Sequence, residues 1–292
     1  MKIENIGVMS PGDMGQAVAQ QIKERGYNVF TALDGRSPRS KALAEQAALT
    51  DLGSIAALTA RCDVILSVMN PGSALEFADE VANALAASRR DLLFVDCNAT
   101  APVTVQRIAE RITAAGGRCV DGSVLGPPPR GTSKTRLFLA GPAAGELLPL
   151  AGPLMSIEVM SERIGDASAL KMCYAALTKG VPAIALELLI AARRLGVSDA
   201  LEAQLKATRS DVYGWLTGML PVVPPKAHRW VPEMLEIART LESTGLTPRM
   251  FEGAAEVYGF IAQTALGGES PEAARKEART AAQVIELLAA KT

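Results

Sequence analysis

The chain has 292 residues, 49% of them hydrophobic and 21% charged, which is enough for a large core and suggests two domains. A net charge of −1 excludes a broad basic footprint for nucleic acid, and a single histidine excludes a multi-histidine metal site. Four cysteines without zinc spacing or a paired framework fit reduced thiols, and no basic-then-apolar leader precedes the first strand, so the expectation is a cytoplasmic protein.

A short apolar run over residues 3–9 reads as a buried strand, and an apolar-periodic helix follows over 12–25. Between them lie Ser10, Pro11, Gly12, Asp13, Met14 and Gly15. A strand that turns through glycines into a helix N-terminus binds a dinucleotide pyrophosphate through backbone N–H groups and the helix dipole. The G-x-G-x-x-G fingerprint has serine in place of its first glycine here, so an ordinary tight turn remains the bland alternative. Gly7, Ser10, Pro11, Gly12, Asp13 and Met14 are the candidate cofactor residues of this segment.

Short apolar runs at 28–33, 64–68, 92–95 and 118–120 alternate with helical patterns at 39–48, 54–60, 72–87 and 103–115. That order predicts a doubly wound, mainly parallel sheet, extended by strands at 136–140 and 157–160. The second strand ends in a turn with Arg36, Ser37, Arg39 and Ser40, two cations and two hydroxyls within five residues. Guanidinium matches phosphate geometry, so this turn suits the 2′-phosphate of NADP. Asp34 is the counter-argument, because a carboxylate there suits the ribose 2′-hydroxyl of NAD. Met69 and Asn70 follow the strand at 64, and Asn98 follows the strand at 92. Ligands sit beyond the carboxyl ends of such strands, although Asx-turn capping explains these residues equally well.

From about residue 165 nearly everything reads as helix, placing a domain boundary near 164 (domains 1–164 and 165–292). A long helix over 167–195 contains Gly180 and Pro182, where a kink is expected. Its apolar stretch at 181–192 is interrupted by Pro182 and Glu187 and is too short to span a membrane. A break at the prolines 221, 224 and 225 precedes helices at 231–243, 248–265 and 271–290. Lys171 sits early on the long helix, where a lysine in a cleft can act as general acid or base. Tyr174 and Thr178 share its face, whereas Cys173 points elsewhere and is expected to pack. A simple ion pair of Lys171 with Asp166 is the alternative. His228, Arg229 and Trp230 precede Glu233 in a compact cluster, a candidate far wall for a substrate pocket; Arg229, Arg130 and Lys134 compete as anion ligands. Pro127 to Pro129 read as a rigid wall.

These residues resemble the β-hydroxyacid dehydrogenase superfamily, which includes 6-phosphogluconate and 3-hydroxyisobutyrate dehydrogenases. Its opening motif is matched at Gly7, Gly12, Met14 and Gly15, and its N-R-[ST] at Arg36 and Ser37. The substrate motif D-x-P-V-S-G-G falls on Asp121 to Pro127, and the catalytic G-x-G-x-x-x-K-x-x-N-N on Gly165 to Ala175. A C-terminal pattern is echoed from Glu233 to Ala238 and from Gly245 to Pro248. Leu125 replaces the family serine, Tyr174 and Ala175 replace the asparagines, and Pro127 replaces the second glycine. The chain is thus similar to a divergent subgroup sharing the proline-glycine turn, a K-M-C-Y segment and an R-W-x-x-E-M helix.

The resemblance implies an α/β Rossmann-type doubly wound domain followed by an all-α domain entered by the long helix. It implies an NADP-dependent dehydrogenase acting on the CH–OH group of a small hydroxy acid or its oxo partner. Lys171 would be the acid/base, with Tyr174 beside it, and Ser123, Leu125, Gly126, His228, Arg229 and Trp230 would line the substrate. A homodimer with a small-molecule substrate is expected, with no metal, nucleic acid or membrane. An NADPH-dependent imine reductase and a non-catalytic NADP-sensing protein are the alternatives.

Overall fold

The computed structural model describes residues 2–88 and 90–290. The chain forms two compact units, Met1–Met172 and Cys173–Thr292, dividing inside a helix eight residues after the boundary read from sequence.

In the first unit the elements in order are β1 (Asn5–Met9), α1 (Asp13–Glu24), β2 (Asn28–Thr31), α2 (Pro38–Gln46), β3 (Thr50–Asp51), α3 (Ile55–Arg61), β4 (Val64–Ser67), α4 (Ala74–Ser88), β5 (Leu93–Asp96), α5 (Pro102–Ala114), β6 (Arg118–Leu125), β7 (Thr135–Ala140), β8 (Met155–Ser161) and the start of α6 (Asp166–Leu195). One eight-stranded sheet has the order β3-β2-β1-β4-β5-β6-β7-β8. All pairs are parallel except β6 with β7. The order reverses between β1 and β4, which is where an open α/β sheet forms its ligand crevice. β3 escaped the sequence reading because two exposed residues leave no apolar pattern.

Side-chain alternation divides the core between the two faces of the sheet. Ile6, Val8, Val64, Leu66, Leu93 and Val95 face Val18 and Ile22 of α1 and the 3-10 turn Ala144–Leu150. Phe30, Ile65 and Phe94 face Leu58 of α3, Phe77, Val81 and Leu85 of α4, and Ile108 and Ile112 of α5. Gly7 belongs to this packing. It is buried in mid-strand, where a Cβ would lie 3.1 Å from Leu58, so close packing requires glycine there.

The second unit is helical: the rest of α6, then α7 (Ser198–Thr208), α8 (Ser210–Met219), α9 (Ala227–Glu242), α10 (Arg249–Ala262), α11 (Pro271–Glu277) and α12 (Ala281–Ala289). α6 stays helical through Gly180 and Pro182. Gly180 is small because Phe251 lies against it; a Cβ there would be 2.7 Å from the ring. α6 is the one helix among the described residues long and apolar enough to cross a membrane, and 44% of its apolar window is buried within the protein. The helix expected over 271–290 is in fact two. Ala278 adopts a left-handed conformation (φ 49°), and Thr280 begins α12 with a capping box closed by Gln283.

β6 and α6 are joined by Asp121. Its buried carboxylate accepts from the backbone N–H of Gly165 (2.9 Å) and Ser168 (3.0 Å) and from the Ser168 hydroxyl (2.7 Å). Asp121→Ala is expected to lower unfolding stability by about 3 kcal/mol, because three buried donors lose their acceptor. A urea denaturation midpoint unchanged from wild type would contradict this.

Candidate active site

β1 ends at Met9 and the chain turns sharply into α1. Ser10 N–H donates to Val68 O (3.1 Å) and Gly12 N–H donates to Ser10 O (2.8 Å). A Cβ on Gly15 would lie 2.1 Å from Ser10 O, so the first turn of α1 packs on this backbone only as glycine. A Cβ on Gly12 would meet nothing within 4 Å, so the turn is open there. Gly12 is the N-cap of α1 and makes no side-chain cap, so no capping side chain covers the helix's first-turn N–H groups. An open, uncapped helix N-terminus at the switch point of the sheet fits a dinucleotide pyrophosphate. The serine at position 10 is compatible with the turn because its backbone, not its side chain, makes the closing bonds. Pro11 is buried, Met14 packs on the core, and the Asp13 carboxylate forms an ion pair with Arg130.

The turn after β2 is held by Asp51, which the sequence reading missed. Its carboxylate accepts from Leu33 N–H (3.0 Å) and Gly53 N–H (2.8 Å). Asp34 N–H donates to Gly53 O (3.0 Å). The Ser37 hydroxyl caps α2 by accepting from Ser40 N–H (3.2 Å), with Pro38 at the first helical position. Asp34, Ser37 and Arg39 are exposed and Arg36 is half-buried. Both the carboxylate and the guanidinium that favour different dinucleotides therefore stand at the end of β2.

Beyond β4 and β5 the polar residues form one buried network. Asn98 is only 2% exposed. Its amide nitrogen donates to Ser67 Oγ (2.7 Å) and to Asp96, and its amide oxygen accepts from Met69 N–H (2.6 Å). These hydrogen bonds align the two strand ends. Asn70 caps the short turn at Pro71–Ser73 by accepting from Gly72 N–H (3.0 Å). Asp96 is fully buried and accepts from Thr100 Oγ1 (2.8 Å); burial pushes its carboxyl up to about 7.

This network ends at Lys171. Its ammonium donates to Cys97 O (3.2 Å) and Asn98 O (3.1 Å), fixing it at the carboxyl end of β5. The alternative pairing with Asp166 is not formed, since Asp166 binds Arg163 and Ser161 (2.7 Å each). Lys171 occupies this position because Asp121 fixes the start of α6 one turn earlier. Burial also raises the Asp121 carboxyl, opposed by its bonds from Ser168 and Gly165. The separation of Asp121 from the lysine helix, 44 to 47 residues, carries no local signal in the sequence.

Ser123 is fully buried and donates to Ala167 O (2.7 Å), so it ties β6 to α6. Leu125 packs with Leu170 beside Phe138 and Ala140, and Gly126 turns out of β6 with φ 119°. Tyr174 follows Lys171 by one turn and is 54% exposed. Cys173 is exposed, not packed.

In the second unit His228 and Arg229 are exposed at the start of α9. Partial desolvation of the ring and the neighbouring Arg229 hold His228 below its ordinary range. Trp230 packs edge-on against Tyr258, with ring centroids 5.1 Å apart. Lys179 Nζ lies 5.8 Å from the Trp230 ring and pairs with the buried Glu233, and the Tyr258 hydroxyl donates to Lys179 O (2.5 Å). The Trp230 ring is therefore packed between Tyr258 and Lys179.

A crevice built this way, with its glycine turn and anchored lysine in one unit, is that of a dinucleotide-binding protein of the dehydrogenase class. The sequence agrees. Residues 5–156 match the NAD binding domain of 6-phosphogluconate dehydrogenase, and the chain belongs to that family. Residues 192–261 match a domain of unknown function, DUF1932. A solved structure of a conserved protein of unknown function, described as structurally similar to 3-hydroxyacid dehydrogenases, is 29% identical, covering 88% of this chain and 96% of its own (TM-score 0.63). The mitochondrial 3-hydroxyisobutyrate dehydrogenase of Drosophila melanogaster is 24% identical over 76% of this chain and 70% of its own length. An imine reductase variant from Myxococcus stipitatus, bound to NAD+, is 20% identical and shares the fold over 93% of this chain and 96% of its own (TM-score 0.53).

The Asp96 environment has a measurable signature. Its folded value of about 7 lies above the usual 3.8, so between these values the folded protein keeps a proton that the unfolded chain releases. Its contribution is full below the lower value, falls as pH rises through the upper one, and is level above. The melting temperature of wild type minus that of Asp96→Asn is expected to decrease from pH 4 to about pH 7 and then level off. A difference independent of pH would show that Asp96 is not held protonated.

Proposed function

We propose that the protein is an NADP-dependent oxidoreductase interconverting a small hydroxy acid and its oxo partner, with Lys171 as general acid/base. The observation that carries the reading is the anchoring of Lys171 by Cys97 O and Asn98 O at the carboxyl end of β5, in the unit that belongs to a dinucleotide-binding family. The dinucleotide, when bound by the Ser10–Met14 turn, supplies or accepts the hydride. In the reducing direction the Lys171 ammonium donates a proton to the nascent alkoxide oxygen and stabilises its charge; in the oxidising direction the neutral amine takes the hydroxyl proton. The two carbonyls hold the ammonium in place, so orientation is set before substrate arrives. The Tyr174 phenol, one turn along, is a second polar group on the lysine's face.

The preference for NADP rests on Arg36 and Arg39, whose guanidinium groups suit a 2′-phosphate. A homodimer is the proposed working form. It is supported by a groove of about 780 Å³ between α6 and α10 whose lining includes the exposed apolar residues Ile184, Met250 and Phe260. A cytoplasmic setting is proposed on the reduced thiols.

An imine reductase is the second reading. It is favoured by Leu125 and Ala175, apolar where the family carries the serine and asparagine. A panel of cyclic imines with NADPH separates the two, and tight cofactor binding without turnover on either substrate class would leave only a sensing role.

Lys171→Ala is expected to lower turnover by about 10²- to 10³-fold while leaving NADPH affinity near wild type. Unchanged turnover would remove the acid/base role. In side-by-side fluorescence titrations NADPH should bind more tightly than NADH, and Arg36→Ala should narrow the gap; preference for NADH would assign the site to Asp34.

A further inference from the structure

One charge at the phosphate turn runs against its purpose. Asp13 is the first residue of α1, at a helix end that carries about +0.5 of an elementary charge and is the part of the helix that attracts phosphate. A carboxylate there favours the helix but repels an incoming pyrophosphate. The structure meets this with Arg130, 117 residues away in the chain, whose guanidinium pairs with the Asp13 carboxylate.

The loop that delivers Arg130 is short and braced. It leaves β6 through Gly126, whose φ of 119° and close approach to Lys134 O (3.0 Å from a Cβ) admit only glycine without strain. Pro127, Pro128 and Pro129 then fix three successive φ angles, and Pro129 is buried. Arg130 O accepts from Ser133 N–H (3.0 Å) around Gly131, and Thr135 Oγ1 closes the loop on Leu125 O (3.1 Å). An ion pair as exposed as this one adds little to folding stability. Its effect on the charge facing a ligand at the turn is larger.

We infer that Arg130 sets dinucleotide affinity by cancelling the Asp13 carboxylate at the phosphate turn, leaving the N-terminus of α1 net positive for the pyrophosphate. This rests on the cofactor reading above. It gives Arg130 a place at the cofactor and not at the substrate carboxylate, for which it was a rival candidate. It also makes Asp13, counted with the cofactor residues, an antagonist of binding when unpaired.

The test is a double-mutant cycle on NADPH affinity, read by fluorescence titration of the full chain without substrate. Arg130→Ala should weaken binding by about tenfold, an effect of two like charges near a protein surface. Asp13→Asn in the Arg130→Ala background should recover most of that loss, and Arg130→Lys should retain most of the affinity. The loss in Arg130→Ala should shrink at high salt. Thermal melts of all variants should stay close to wild type. Wild-type affinity in Arg130→Ala, or a loss that Asp13→Asn does not recover, overturns the inference. Wild-type protein that binds neither NADPH nor NADH overturns the cofactor reading, and this inference with it.

Discussion

The site depends on one buried carboxylate. Asp121 lies at the centre of β6 and takes three hydrogen bonds from the first turn of α6. Burying a carboxyl is costly unless its oxygens are satisfied, so the group is tolerable only with Gly165 and Ser168 in place. The constraint works in both directions. The strand cannot pack without the helix end, and the helix cannot begin anywhere else. Ser123, two residues on and on the same face of β6, adds its own bond to Ala167 O. Lys171 follows one helical turn later, so its distance from the sheet is inherited from this junction.

A second layer of order comes from strand ends that read each other. Asn98 accepts from the backbone after β4 and donates to side chains of β4 and β5, so neither loop shifts alone. Lys171 then binds carbonyls on that same segment. The catalytic candidate and the crevice floor are thereby parts of one hydrogen-bonded body, and a fully buried residue such as Ser67 bears on the position of the ammonium.

The strand–turn–helix at the start was legible because it is local: the apolar run, the glycines and the helix period lie within two dozen residues. The order of the other strands and helices of the first unit was legible for the same reason, β3 excepted. What the sequence did not show was long-range partnership. Asp51 supporting the Arg36 turn, Asp121 seated on Ser168, Glu233 paired with Lys179 and Arg130 on Asp13 join segments separated by up to 117 residues, and no periodicity records such pairings. Asn98 was read from its place at a strand end and Ser123 from the family motif, and neither signal shows the hydrogen bonds that the side chains make within the protein. The single break at Ala278 was hidden because alanine is a strong helix former and carries no turn signal.

The cysteines divide the chain chemically. Cys62, Cys97 and Cys119 are buried, and burial pushes their thiols up, Cys62 to about 12. Thiols held protonated away from solvent are poor nucleophiles. Cys173 alone is exposed, two residues after Lys171 and at the first residue of the second unit. The native chain therefore carries its own attachment point: an alkylating fluorophore or spin label would join the folded protein at one place, two residues from the proposed acid/base, without a single engineered residue.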